Sequence, residues 1–131
     1  MQTTPQGDPV WTPEDQRLPA DLVERVSDVL RHVGLPLAHE NDDVGVFLTR
    51  GDGRPMNAPE PADHVALSWH APPALYDTVD QEGGAGPTAR LMFAVDDGME
   101  ATLSEVLTAA GLHVAPHPAT ETLSVWSTPP R

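Results

Sequence analysis

The sequence predicts an α+β domain in which two helices pack on one face of a five- or six-stranded, mostly antiparallel sheet. Two observations support this fold class. Apolar residues recur at helical spacing around residues 20–33 and 98–110, and they alternate with polar residues in several shorter segments. The length of 131 residues suits one domain with a single hydrophobic core.

The first helix is expected to begin near Ala20 and to end at Gly34. Its apolar residues are spaced as on one face of a helix: Leu22, Val23, Val26, Val29, Leu30 and Val33. Glycine commonly follows the last turn of a helix, and Gly34 holds that position. This helix therefore supplies one side of the predicted core.

Five short segments alternate between apolar and polar residues and are predicted as strands, at 44–48, 64–70, 91–95, 112–115 and 122–127. The most regular of them is 64–70, in which Val65, Leu67 and Trp69 point to one side. Proline and glycine residues between the strands predict loops and connectors.

The second helix is predicted to start at Asp96-Asp97-Gly98 and to end at Gly111. Residues 21–50 align without gaps on residues 98–127, and the alignment matches Gly34 with Gly111. A duplication or the common geometry of helix-to-strand joints would explain this match. Both explanations predict a possible internal α-β-β repeat.

The expected domain organisation is a flexible N-terminal arm with a short helical turn at 1–18, one α+β domain at 19–127, and a loose tail at 128–131. Thr12 is suited to cap the short turn, and Pro13 fits the first helical position. Trp11 either pins the arm onto the core or anchors a partner.

The composition excludes several function classes. Twenty acidic and seven basic residues give a net charge of -13, which argues against nucleic-acid and membrane-surface binding and favours a protein partner. The sequence contains no Lys and no Cys, so it offers no phosphate-binding lysine, Schiff-base amine or thiol nucleophile. No targeting or apolar membrane segment is recognised, and we expect a cytoplasmic protein.

Alternation assigns an unusual set of residues to the sheet face opposite the helices. This set combines large apolar side chains with imidazoles: Phe47, His64, Ser68, His70, Met92, His113 and Trp126. A solvated face would carry mainly charged and hydroxyl side chains, so the set indicates a partner, a dimer or a ligand. We predict an interface formed by Phe47, His64, Ser68, His70, Met92 and Trp126.

Three alternatives use other chemistry. His64, His70 and His113 are candidates for a transition-metal site, since neutral imidazoles bind zinc, nickel or copper. A hydrolase based on Ser68 and His70 is disfavoured, because side chains two residues apart in a strand lie about 7 Å apart. The acids on one side of the first helix, Asp21, Glu24 and Asp28, suggest a DNA mimic that inhibits a basic protein.

The sequence thus predicts a small, acidic, non-catalytic protein-binding module. It would act as an adaptor, a regulator or a homodimer through the open sheet face, without a cofactor. The metal-binding and DNA-mimic functions remain the alternatives.

Overall fold

The computed structural model describes residues 2–3, 9–10, 12–39, 43–55 and 57–129. The helices are α1 (Ala20–His32), α2 (Pro73–Gln81) and α3 (Pro87–Ala109), and the strands are β1 (Gln2–Thr3), β2 (Pro9–Val10), β3 (Gly45–Thr49), β4 (Val65–His70), β5 (His113–Pro116) and β6 (Leu123–Trp126). Strands β1 and β2 pair with each other, and the other four form an antiparallel sheet in the order β3-β4-β6-β5. Trp11, to which the sequence assigned an anchoring role, lies outside the described residues.

The α+β class is confirmed, but the predicted numbers of elements are wrong. The main sheet has four strands instead of five or six, and the described residues form three helices instead of two. The difference arises mainly at residues 91–95, which belong to α3 rather than to a strand. Met92 therefore lies on a helix and not on the sheet face to which alternation assigned it.

Helix α3 starts at Pro87, well before the predicted position at Asp96. The residues around the glycine-rich connector stabilise this earlier N-terminus. Pro87 occupies its first turn, where a missing amide hydrogen costs nothing. The Glu82 carboxylate accepts hydrogen bonds from the Thr88 amide at 3.1 Å and from the Thr88 hydroxyl at 2.6 Å. These bonds hold the pKa of Glu82 below its ordinary value and satisfy an amide of the first turn.

The hydrophobic core lies between the sheet and helices α1 and α3. Its central side chains are Leu22, Val26 and Leu30 of α1, Val46, Val65, Leu67 and Val125 of the sheet, and Leu103 and Leu107 of α3. Helix α3 has 23 residues and is about 35 Å long, whereas the longest strand has six residues and spans about 20 Å. The core residues of α3, Leu103 and Leu107, lie in its second half, and the helix also packs against α2.

Helices α1 and α3 end in the same way. Gly34 and Gly111 follow them with φ angles of 85° and 91°. In both places the amide of the next residue, a leucine, donates to the carbonyl oxygen five residues earlier, at 2.9 and 3.1 Å. Beyond this joint the two halves differ, since Leu37 makes a single parallel bridge to Val46 whereas β5 and β6 form an antiparallel ladder.

The turn that precedes α1 is closed by two reciprocal hydrogen bonds. The Thr12 hydroxyl accepts from the Asp15 amide at 3.0 Å, and the Asp15 carboxylate accepts from the Thr12 amide at 3.2 Å. Hydrogen bonds with Thr12 also hold the pKa of Asp15 below its ordinary value. Gln16 and Leu18 of this segment are buried, so the turn is packed onto the domain.

None of the helices in the described part of the chain combines the length and the apolar character required to cross a membrane.

Candidate functional site

The sheet face that points away from α1 and α3 carries a cluster of aromatic rings at one end. His113 pairs with Trp126 across β5 and β6, and His64 immediately precedes β4. The ring centres of His64 and His113 each lie 5.8 Å from that of Trp126, and His117 stacks on Trp126 at 6.0 Å. Because His64 is only 1% and Trp126 only 4% exposed, this end of the face belongs to the protein interior.

The opposite end of the same face is more accessible. Phe47 lies opposite Ser68 in the β3–β4 ladder, and its ring centre is 3.9 Å from that of His70. All three side chains are half-buried. The structure therefore divides the predicted interface: it keeps Phe47, Ser68 and His70 together and places Met92 on α3.

Both ring nitrogens of His64 face oxygen atoms of the protein. Its Nδ1 lies 2.9 Å from a carboxylate oxygen of Asp63, and its Nε2 lies 2.5 Å from the carbonyl oxygen of Arg50. Neither nitrogen is therefore directed at space in which a metal ion could bind. Within the described residues, no group of three or more His, Asp or Glu side chains is arranged to hold a metal ion.

Arg50 is the centre of a buried polar network. Its side chain is 1% exposed and donates to the Asp52 carboxylate at 3.2 Å, to the Gln16 carbonyl at 3.0 Å and to the Glu60 carbonyl at 2.5 Å. Partial burial acts to raise the pKa of Asp52, but hydrogen bonds from the Arg54 amide and from Arg50 outweigh it and lower that pKa. The network ties the turn before α1 to the loop after β3.

A cleft opens where β4 and β6 separate. The two strands are paired only at Val65 with Val125 and at Ala66 with Ser124, although β4 continues to His70. The resulting cavity of about 380 Å³, which we call the acidic cleft, is bounded by β4, α3 and the β5–β6 turn, and it is lined by Leu67, Ser68, Trp69, Asp96, Glu100, Leu103, Thr120, Glu121, Thr122 and Leu123. Its volume lies in the range of ligand pockets.

The acidic cleft has an apolar floor and a negatively charged rim. Four of its lining residues are leucine or tryptophan, and three are carboxylates. Burial and the neighbouring carboxylate of Asp97 raise the pKa of Asp96, while His70 acts in the opposite direction. The unfavourable environment of the Asp96 carboxylate would be relieved by a cation, because an opposite charge favours the ionised form.

Phe93, the most exposed large apolar side chain in the described part of the chain, is on α3, which forms one wall of this cleft. Phe93 is 60% exposed and stands seven residues before Glu100, which places both on the same side of α3. Leu91, which is 57% exposed, lies on the opposite side of the same helix. Phe93 therefore lies about 10 Å along α3 from Glu100, on the side of the helix that lines the acidic cleft.

The helices α2 and α3 concentrate both exposed apolar surface and negative charge. Among the described residues, six large apolar side chains count as exposed, and Tyr76, Leu91, Phe93 and Val95 are four of them. The segment 72–111 carries seven carboxylates and one arginine. Phe93, on the cleft side of α3, therefore lies in a strongly acidic part of the chain.

The chain matches no known family model, and comparisons with curated proteins and with solved structures give no match either.

The acidic cleft and the exposure of Phe93 could not be predicted from the sequence, because both depend on the position of α3. A signal for α3 was present: from Pro87 to Ala110 the chain contains no further proline and one glycine, Gly98. For Arg50 the sequence offered no signal, since two of its partners are carbonyl oxygens of distant residues. No pattern of residue types marks such acceptors.

We predict that His70 destabilises the fold as the pH falls. Partial burial lowers the pKa of His70 from its ordinary value of 6.5, and the Asp96 carboxylate opposes this shift only in part. Below pH 6.5 the unfolded chain therefore binds the proton more readily, and the free energy of unfolding decreases until the pH passes the folded pKa. Asp96 has the opposite effect at lower pH, because its raised pKa favours protonation in the folded state.

Urea unfolding of the wild type and of His70→Gln, measured between pH 8 and pH 5, checks this prediction. The decrease in the free energy of unfolding around pH 6.5 should be smaller in the variant. An unchanged pH profile would show that His70 titrates alike in the folded and unfolded states.

Proposed function

We propose that this chain is a small, non-catalytic protein-binding module that receives a basic partner at the acidic cleft and at Phe93. The observation that carries this proposal is an exposed phenylalanine on the same side of α3 as Glu100, a carboxylate that lines a cleft with an apolar floor. Interfaces typically combine a buried aromatic anchor with a polar rim. The acidic cleft and Phe93 provide both parts.

The electrostatics support a basic partner over a second copy of the chain. With a net charge of -13, two copies repel each other unless the contact is strongly apolar. A cationic partner is instead attracted over a distance of about 8–10 Å at ordinary ionic strength. This argument favours the adaptor or regulatory role over the homodimer.

The sheet face is a less favourable docking surface than α3. Trp126 and His64 are buried by the chain itself, and Phe47 is covered in part by His70. The side chains with the largest exposed apolar fraction, Leu91 and Phe93, lie on α3. We therefore place the proposed docking surface on the cleft side of α3.

The proposal predicts that Phe93→Ala weakens the binding of a natural partner by about 30-fold or more, which corresponds to about 2 kcal/mol for an aromatic anchor. Leu91→Ala is the matched control, because it truncates a similarly exposed side chain on the other side of the same helix. It should change the dissociation constant less than about threefold.

The measurement is affinity capture from an extract of the source organism, followed by calorimetry with the purified captured protein. We expect a protein of basic isoelectric point whose affinity decreases with salt. Equal affinities of Phe93→Ala and Leu91→Ala for that protein would refute the proposed surface. A captured protein that binds with no salt dependence would refute the electrostatic part of the proposal.

A further inference from the structure

The part of β4 that borders the acidic cleft has a free edge. Pairing with β6 stops at Ala66, and among the described residues no strand pairs with Leu67–His70 on that side. On the other side these residues are paired with β3, from Gly45 to Leu48. Alternate residues of a strand direct their backbone groups to opposite neighbours, so two of the four present an amide and a carbonyl to the cleft.

We infer that the acidic cleft binds an extended, positively charged peptide segment that adds to this edge of β4. The inference rests on the proposed function, since it specifies the conformation of the partner at the same surface. The free edge is about 13 Å long, which suits a segment of four residues. Addition of a strand to a free edge is a common mode of peptide recognition.

The lining of the cleft offers both apolar and charged contacts to such a segment. In an added strand, successive side chains point to opposite faces. Leu103 of α3 and Leu123 of β6 offer apolar contacts, and Leu103 is only 1% exposed. The carboxylates of Asp96, Glu100 and Glu121 offer partners for arginine or lysine.

The occupant must be basic because the cleft has no cation among its lining residues. An acidic or neutral segment would leave the three carboxylates without a compensating charge as it excludes water from them. Burial of uncompensated charge is unfavourable, as the raised pKa of Asp96 already indicates. A basic segment supplies the missing charge and so gains selectivity over other extended peptides.

The experiment uses synthetic nine-residue peptides in which arginine alternates with valine, leucine or isoleucine, with blocked termini. Each peptide is titrated into the full chain, and the heat of binding is measured by calorimetry. We expect dissociation constants below about 100 µM at low salt and at least tenfold weaker binding to the Asp96→Asn, Glu100→Gln double variant. Failure of every such peptide to bind would overturn the inference.

Two N-methylated isomers of the best peptide distinguish strand addition from simple charge attraction. One isomer is methylated at the odd residues and the other at the even residues, so the charges and side chains are equal. A strand added at one edge uses the amides of alternate residues, so one isomer should bind at least tenfold more weakly and the other like the parent. Equal affinities of the two isomers would overturn the inference.

Amide hydrogen exchange supplies the readout on the protein. Two of the four amides in Leu67–His70 should exchange at least tenfold more slowly in the complex, because they become hydrogen-bonded. Unchanged exchange would overturn strand addition. If the natural partner still depends on Phe93 while the N-methylated isomers bind equally, the proposed function stands and only the strand addition is refuted.

Discussion

Replacement of Arg50 by alanine is expected to lower the free energy of unfolding by about 3–5 kcal/mol. This is the usual cost when one partner of a buried ion pair is removed and the other remains. The guanidinium group satisfies three acceptors in different directions: the Asp52 carboxylate and the carbonyl oxygens of Gln16 and Glu60. Without it these buried or partly buried acceptors lose their donors. Each unsatisfied buried group costs about 1–3 kcal/mol.

The effect should be large relative to the total stability, which for a domain of this size is about 5–15 kcal/mol. The network also joins three segments that are distant in sequence: the turn before α1, the end of β3 and the loop that leads to β4. Arg50→Lys should recover only part of the loss, because an ammonium group cannot match the planar geometry of the guanidinium. Chemical denaturation, with a check that the slope is unchanged, measures both variants.

Arg54→Ala provides the control. Arg54 forms an ion pair with Glu60, but the side chains are 45% and 56% exposed, so the pair is screened by water. Its loss should cost no more than about 1 kcal/mol. If Arg50→Ala and Arg54→Ala destabilised the protein equally, the buried network would not be a determinant of stability.

The contrast between these two arginines shows what the sequence could predict. Arg50 and Arg54 lie on either side of the turn Gly51-Asp52-Gly53, and the local sequence does not indicate which of the two side chains is buried. Burial is decided by the path of segment 54–62, which carries several prolines and has no periodic pattern. The strong periodicity of residues 64–70, in contrast, was sufficient to predict β4 and the orientation of its side chains.

The incorrect prediction at 91–95 has a specific physical origin. Leu91, Phe93 and Val95 are apolar at every second position, which satisfies the strand pattern, but each is exposed on α3. The strand pattern predicts structure correctly only where the apolar residues are buried, and these three side chains are exposed to solvent. One of these residues, Phe93, belongs to the surface on which we place the binding function, as expected where function overrides the rules of folding.

The second large effect is expected for Gly51→Ala, which should lower the free energy of unfolding by about 2–5 kcal/mol through backbone strain and overpacking. Gly51 has a φ angle of 45°, and an added Cβ would lie 2.3 Å from the Cβ of Ala66. Ala66 is fully buried on β4 and is paired with β3 on one side and β6 on the other. It cannot move without disturbing the centre of the sheet.

Gly53→Ala separates the two causes. Gly53 also has a positive φ angle, of 81°, but the nearest atom to its added Cβ is 3.5 Å away, an ordinary contact. This variant should therefore show only the backbone strain, about 1–2 kcal/mol. Equal losses in the two variants, measured by urea unfolding, would contradict a role for the close contact with Ala66.

Gly51 also connects stability with the proposed site. Its carbonyl oxygen accepts a hydrogen bond from the Thr120 hydroxyl at 2.5 Å, and Thr120 lines the acidic cleft. A displacement of Gly51 would therefore move the wall of the cleft that faces the free edge of β4. We expect Gly51→Ala to weaken binding of the arginine-containing peptides more than Gly53→Ala does, when both variants are compared at a temperature where they remain folded.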